Sequence, residues 1–220
     1  MTHNHSREPR PCPLCRSPQG EPYAQLRRRH YFLCRICDLV WLCPQQRLDA
    51  EAERAHYDTH ENNPADVGYR TFLEQLATPL MQRLQPGADG LDYGSGPGPT
   101  LSVMLEEQGF SMRLFDPLFA PDSGVLARQY DFITCTETAE HFFSPSDEFA
   151  RLDQLLRPGG WLGIMTGFRP PADAFAAWHY VRDPTHVCFY SVETMAWIAR
   201  HYGWTLEMPG NNVALFRKPG

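Results

Sequence analysis

Three groups of residues have types and spacings that could do chemistry. Cys12 and Cys15 form one CxxC pair and Cys34 and Cys37 a second, with 18 residues between the pairs. The stretch "LDYGSGPGPTL", residues 91–101, places Gly94, Gly96 and Gly98 at every second position behind Asp92, and Asp116 follows in "MRLFD". Carboxylates and imidazoles gather in "CTETAEHF", with Glu137, Glu140 and His141, and His186 lies late in the chain in "WHYVRDPTHVCFYS".

The cysteine spacing suits a four-thiolate zinc site. Each CxxC can turn its two sulfurs toward one ion, and two turns complete a tetrahedron at roughly 2.3 Å per Zn–S bond. A segment under 50 residues buries too little apolar surface to fold alone, so the metal would supply folding energy. With all four ligands from the protein such a zinc is structural. Two disulfides or unconnected thiols are the alternatives, and no oxidising compartment is indicated. Cys43, Cys135 and Cys188 are expected as buried small hydrophobes.

The glycine stretch lacks the GxGxxG spacing of a dinucleotide loop, since Pro99 stands where the next glycine is needed. Phosphate loops aim backbone N–H groups at anionic oxygens, and Pro97 and Pro99 have none. Asp92 adds a negative charge. The ligand wanted packs closely on glycine backbone, carries no phosphate and tolerates a carboxylate. S-adenosylmethionine fits, with its ammonium and sulfonium, and Asp116 at the next strand end could accept the ribose hydroxyls.

Elements that would position these groups can be read along the chain. Residues 1–47 form a ribbon with strand-like alternation in "YFLCRICDLVWL". Residues 48–86 read as helices leading into a second domain, 48–220, with Tyr69, Phe72, Leu73, Leu76, Leu80 and Leu84 at three- and four-residue steps. "GLDY", "MRLFD", "YDFITCT" and "WLGIMT" read as strands alternating with the helices "TLSVMLEEQ" and "SDEFARLDQLL". "SVETMAWIARHYG" is a helix with Ser191 as N-cap, and "WTLEMPGNNVALFRK" two strands around a turn. This is an α/β chain with a doubly wound, mostly parallel sheet, whose ligands belong at the carboxyl ends of the strands.

These motifs resemble motif I and the following strands of class I S-adenosylmethionine-dependent methyltransferases over roughly residues 68–218. With the four-cysteine ribbon and "WHYVRDPTHVCFYS", the chain resembles a bacterial subgroup of zinc-ribbon methyltransferases. The resemblance implies a Rossmann-like seven-stranded sheet ending in an antiparallel hairpin. It assigns Asp92, Tyr93, Gly94, Ser95, Gly96 and Gly98 to the cofactor, with Asp116 and Pro117 at the ribose. Thr136 and Glu137 then face the methyl group. Only about fifteen residues separate Asp116 from Asp131, so the third strand is abbreviated, "SGVLA" being the candidate. No adenine contact can be placed.

Methyl transfer needs alignment of a nucleophile and, for some acceptors, removal of a proton. Candidates for that proton are Glu137, Glu140, His141 and His186. His141 and His186 could equally be structural, one bridging strand and helix, the other bracing its loop. Trp178, His179 and Tyr180 either wall an acceptor pocket or cover the sheet edge. Tyr69 reaches the cofactor or belongs to a buried helix face. His56 and His60, one helical turn apart, read as solvated, and His3 and His5 lie at the terminus.

Charge is uneven. Residues 1–47 carry a formal +5 and the remainder −11, within a net −6 that argues against a general nucleic-acid binder. Arg27, Arg28 and Arg29 beside aromatics could grip a phosphate backbone, or dock on the acidic body. The leading expectation is a small-molecule methyltransferase acting at O, N or C. An RNA- or protein-directed enzyme using the ribbon, and a non-catalytic cofactor-binding scaffold, are the alternatives; no N/D-P-P-Y/F motif follows the fourth strand. With no apolar run near 18 residues and no secretory leader pattern, no membrane partner and a cytoplasmic location are expected.

Overall fold

The computed structural model describes residues 10–57 and 63–220. His3, His5 and His60 lie outside them. In chain order the elements are β1 (Gly20–Leu26), β2 (Arg29–Cys34), β3 (Val40–Leu42), α1 (Ala50–Tyr57), α2 (Val67–Met81), β4 (Asp89–Tyr93), α3 (Thr100–Glu107) and β5 (Ser111–Phe115). There follow β6 (Tyr130–Thr136), α4 (Pro145–Leu155), β7 (Leu156–Met165), α5 (Ala172–Phe175), β8 (Cys188–Phe189), α6 (Val192–Tyr202), β9 (Thr205–Glu207) and β10 (Val213–Arg217).

The main sheet runs β5-β4-β6-β7-β10-β9. Its first four strands are parallel, and β10 pairs antiparallel with both β7 and β9, which is the expected terminal hairpin. Among the described residues this sheet has six strands, where seven were expected. "SGVLA" forms a 3-10 turn, Ser123–Ala127, instead of the third strand. Asp122 caps it by accepting from Gly124 N at 2.8 Å, and so short a link between Asp116 and Asp131 can place an edge turn but not a paired strand with its crossover helix.

Helices sit on both faces. Leu73, Leu76 and Leu80 of α2 pack on one face with Leu101 and Leu105 of α3, following the periodicity of the sequence. On the other face Phe149 and Leu152 of α4 and Met195 and Ile198 of α6 enter a larger core. Ser191 caps α6 through a reciprocal box with Thr194, and Gly203 ends it in a left-handed conformation at φ 69°.

A second sheet, β1-β2-β3-β8, is antiparallel throughout. Its fourth strand comes from the insert after β7, with Val40 opposite Phe189 and Trp41 opposite Cys188. The cysteine segment and the insert therefore share one sheet and one apolar core. No described helix is long and apolar enough to cross a membrane.

Candidate active site

Successive side chains of a strand point to opposite faces, and β4 uses this to split its last two residues. Asp92 is buried on the α3 side, where it accepts hydrogen bonds from Ser102 Oγ at 3.0 Å and Thr134 Oγ1 at 2.8 Å. Burial pushes its carboxyl up to about 6 despite those two donors. Tyr93 points the other way. Its ring packs on Phe115, its hydroxyl donates to Glu148, and it accepts from Arg151 Nη1 at 2.9 Å. The expectation that Tyr93 lines the cofactor is thus corrected for its side chain, which the strand alternation directs into the α4 face.

Beyond Tyr93 the chain turns through Gly94 at φ 81°. A Cβ there would lie 2.1 Å from Thr138 Cγ2, and Thr138 Oγ1 donates to Gly94 O at 3.1 Å. Only glycine lets the turn after β4 meet the turn after β6 so closely. Asp116, at the end of β5, accepts from Gly96 N at 3.0 Å, Leu118 N at 2.8 Å and Phe119 N at 3.0 Å. A carboxylate has about four acceptor positions, so one remains for a ligand hydroxyl. Pro117 lies in the small loop those bonds close.

A crevice opens between this turn and α2, lined by Asp92, Gly94, Ser95, Gly98, Pro99 and Thr136, with Tyr69 and Leu73 of α2 opposite. No arginine or lysine is among its lining residues. Ser95 Oγ and Thr136 Oγ1 are buried without a hydrogen-bond partner, so two hydroxyls stand ready for a ligand. Tyr69, read in the sequence as either a cofactor contact or a core residue, forms part of the wall.

At the neighbouring strand end Glu137 adopts a left-handed φ of 47° and donates its N–H to Met165 O at 2.8 Å. The chain then makes a 3-10 turn, Ala139–His141. Glu140 is fully buried and accepts from Tyr180 Oη at 2.5 Å and Thr166 Oγ1 at 2.8 Å. Tyr180 Oη also donates to Glu137 at 3.4 Å. Burial, and then the charge of Glu140, push Glu137 up to about 9. Burial likewise raises Glu140 and lowers His186, so that imidazole is held neutral. His141 and His186 meet edge to face with ring centroids 4.8 Å apart. All four expected acid–base candidates are therefore brought together, joined by Tyr180, which the sequence offered as a pocket wall or a cover for the sheet edge. His179 is exposed, and Trp178 stacks on Tyr180 at 4.8 Å.

Cys12 and Cys37 sulfurs lie 3.5 Å apart and Cys15 and Cys34 3.4 Å, with all four within 4.8 Å of one another. A tetrahedral zinc needs sulfurs about 3.8 Å apart, so this donor set can close on an ion without rearrangement of the sheet. Without a cation the thiols oppose each other: the Cys37 hydrogen bond pulls Cys12 down to about 6, while burial pushes Cys15 up to about 12. Cys43, Cys135 and Cys188 are buried.

The same sheet carries the insert. Phe175 and Phe189 pack edge to face on Tyr31 at 5.4 and 5.7 Å, and Tyr23 closes on Phe175 at 5.2 Å. Arg29 donates to Asp183 O at 3.3 Å and Pro184 O at 2.7 Å, within the loop that leads to His186. Asp38 binds Arg169 Nη2 at 2.5 Å and Ser191 Oγ at 2.6 Å. His56, expected to be solvated, is half-buried against Asp183 at 3.2 Å. Arg27 and Arg28 remain exposed.

Residues 66–208 match the family model described as a methyltransferase domain. Among solved structures, the chain is similar to the 1,6-didemethyltoxoflavin-N1-methyltransferase of Burkholderia thailandensis, with 17% identity, 91% of this chain and 100% of that chain covered, and a TM-score of 0.52. It is also similar to the PH0226 protein of Pyrococcus horikoshii OT3, with 15% identity, 76% and 99% coverage, and a TM-score of 0.53. No curated protein matches.

Proposed function

Because this chain belongs to the family of methyltransferase domains, we propose that it moves the methyl group of S-adenosylmethionine to an oxygen, nitrogen or carbon atom of a small-molecule acceptor. The observation that carries this reading is the crevice after β4: it has no cationic residue, a buried aspartate and two unpartnered hydroxyls, Ser95 Oγ and Thr136 Oγ1. That set suits a ligand with an ammonium and a sulfonium and disfavours a diphosphate. When bound, S-adenosylmethionine supplies a methyl group already activated on a cationic sulfur.

Asp92, Ser95 and Thr136 would hold the methionyl end, and the remaining acceptor position on Asp116 would take a ribose hydroxyl. Glu137, Glu140, His141 and His186 then face the acceptor. Glu137, protonated up to about pH 9, loses its proton more readily once positive charge stands near it. Tyr180 fixes both carboxylates in place. A small acceptor is favoured because these groups lie under the insert, with Glu140 at 0% exposure and His186 at 8%. The four thiolates would hold a structural Zn2+ whose role is to support the sheet that positions the insert.

Calorimetry with S-adenosylmethionine and, separately, with a nicotinamide dinucleotide tests the crevice. Binding of the first and not the second is expected. Binding of the dinucleotide alone would overturn the assignment. The acceptor is sought by incubating cell extract with the protein and labelled S-adenosylmethionine, with label recovered in low-mass products as the expected result.

A further inference from the structure

Three ligand-capable atoms converge where the turn after β6 meets the insert. A carboxylate oxygen of Glu140 and one ring nitrogen each from His141 and His186 all lie within 4.8 Å of one another. Each imidazole has its Nδ1 against a main-chain oxygen, His141 on Thr185 at 3.2 Å and His186 on Tyr180 at 2.8 Å. A carbonyl can only accept, so each ring holds a proton on Nδ1, and Nε2 is the nitrogen that can serve as a ligand atom. Both Nε2 atoms stand 4.0 Å from the same oxygen, Glu140 Oε1, too far for a hydrogen bond. A carbonyl behind the ring and an oxygen ligand in front is how metal-binding histidines are held.

We propose that Glu140, His141 and His186 form a second metal site, separate from the four cysteines, that takes a divalent transition-metal cation such as Zn2+, Mn2+ or Fe2+. Two imidazoles and one carboxylate match the preferences of such ions and leave coordination positions open, whereas four thiolates leave none. Metal bonds of about 2.0–2.2 Å bring ligand atoms to roughly 3–3.5 Å apart, so the three side chains close inward on the ion. Thr166 holds the Glu140 carboxylate by its other oxygen, Oε2, and Tyr180 donates to Oε1 itself, whose second lone pair is the one left for the ion. If the open positions face the methyl group, which rests on the function proposed above, the acceptor is an oxygen-bearing compound, a hydroxyl or carboxylate that completes the coordination.

The test is a Co2+ titration of the full chain in its as-purified metal state, with metal content counted before and after. One further equivalent is expected to bind with visible ligand-field bands and no thiolate charge-transfer band. Glu140→Gln and His186→Gln are each expected to lose that equivalent while retaining the metal already present. A wild-type chain that takes up no further ion overturns the proposal, as does a second equivalent retained in both variants. The wild-type spectrum decides even where a variant does not fold. S-adenosylmethionine calorimetry on the same sample separates the two readings: cofactor binding without a second metal overturns only this site, and a second metal without cofactor binding overturns only the methyltransfer assignment of the crevice.

Discussion

The glycine turn and the glutamate–histidine cluster sit at the same edge of one sheet, yet the chain assembles them differently. The turn is local: Asp92, Gly94, Ser95, Gly98 and Pro99 lie within eight positions, and only Thr136, Asp116 and α2 come from elsewhere. The cluster is not. His186 and Tyr180 reach Glu140 only because the insert is held by β3, by the aromatic ring set of Tyr23, Tyr31 and Phe175, and by Arg29. The half that would meet the cofactor is thus self-supporting, and the half that would meet the acceptor depends on the cysteine-bearing sheet. Perturbations of that sheet should therefore separate cofactor binding from turnover.

The largest effect is expected from Cys34→Ser, or from a chelator acting on the Zn2+ proposed for the four thiolates. Structural zinc contributes about 10–16 kcal/mol of apparent folding energy in small metal-folded units, so the β1-β2-β3-β8 sheet should loosen. Methyl transfer should vanish while S-adenosylmethionine affinity, read by calorimetry, falls far less. Full turnover by metal-free protein would break the comparison. Next comes Phe175→Ala, which removes a fully buried ring shared by the sheet and the insert. A loss of about 3–5 kcal/mol in denaturant unfolding is expected, again with turnover more affected than cofactor affinity.

Asp92 gives the corresponding handle on the other side. Its carboxyl is raised from 3.8 to about 6, so the unliganded fold gains stability from this group on acidification from about pH 6 to about pH 4 and loses it as pH rises through about 6. At one unit per about 1.4 kcal/mol the contribution is at most about 3 kcal/mol, measured as unfolding free energy against pH in wild type and Asp92→Asn. A cationic ligand favours the ionised form, so S-adenosylmethionine should bind more weakly below pH 6, and the pH dependence should disappear in Asp92→Asn. The smallest effect is expected at Arg27→Ala with Arg28→Ala. These exposed side chains should change stability by under about 0.5 kcal/mol and leave turnover intact; salt-sensitive RNA retention lost in that double variant would instead revive an RNA-directed reading.

What was legible in the sequence follows the same division. Asp92 with its glycines, the cysteine pairs and the helices with three- and four-residue apolar steps are local patterns; the turn and the cysteine cluster form at those residues, and α2 follows its apolar series up to Leu80 but ends at Met81, short of Leu84. The 3-10 turn at Ser123–Ala127 was not legible, because "SGVLA" has the apolar content of a short strand and nothing in it reports the missing partner. Nor was the role of Tyr180. An aromatic run in an insert without periodicity fits a wall or a cap equally well, and only the packing of Phe175 and Trp178 directs its hydroxyl at Glu140. Arg29 read as one of three cations that grip a phosphate backbone or dock on the acidic body, and its partners are backbone carbonyls more than 150 residues away, which no local pattern could name.

Pairing of Trp41 with Cys188 has a consequence for synthesis on the ribosome. Translation at about 5–20 residues per second leaves roughly 7–30 s between the emergence of β3 and of the strand that covers it. Throughout that interval the nascent chain presents an open strand edge beside Phe32 and Trp41, a surface prone to pairing with a neighbouring chain. Early capture of an ion by the cysteines would order that segment while its final partner is still being made.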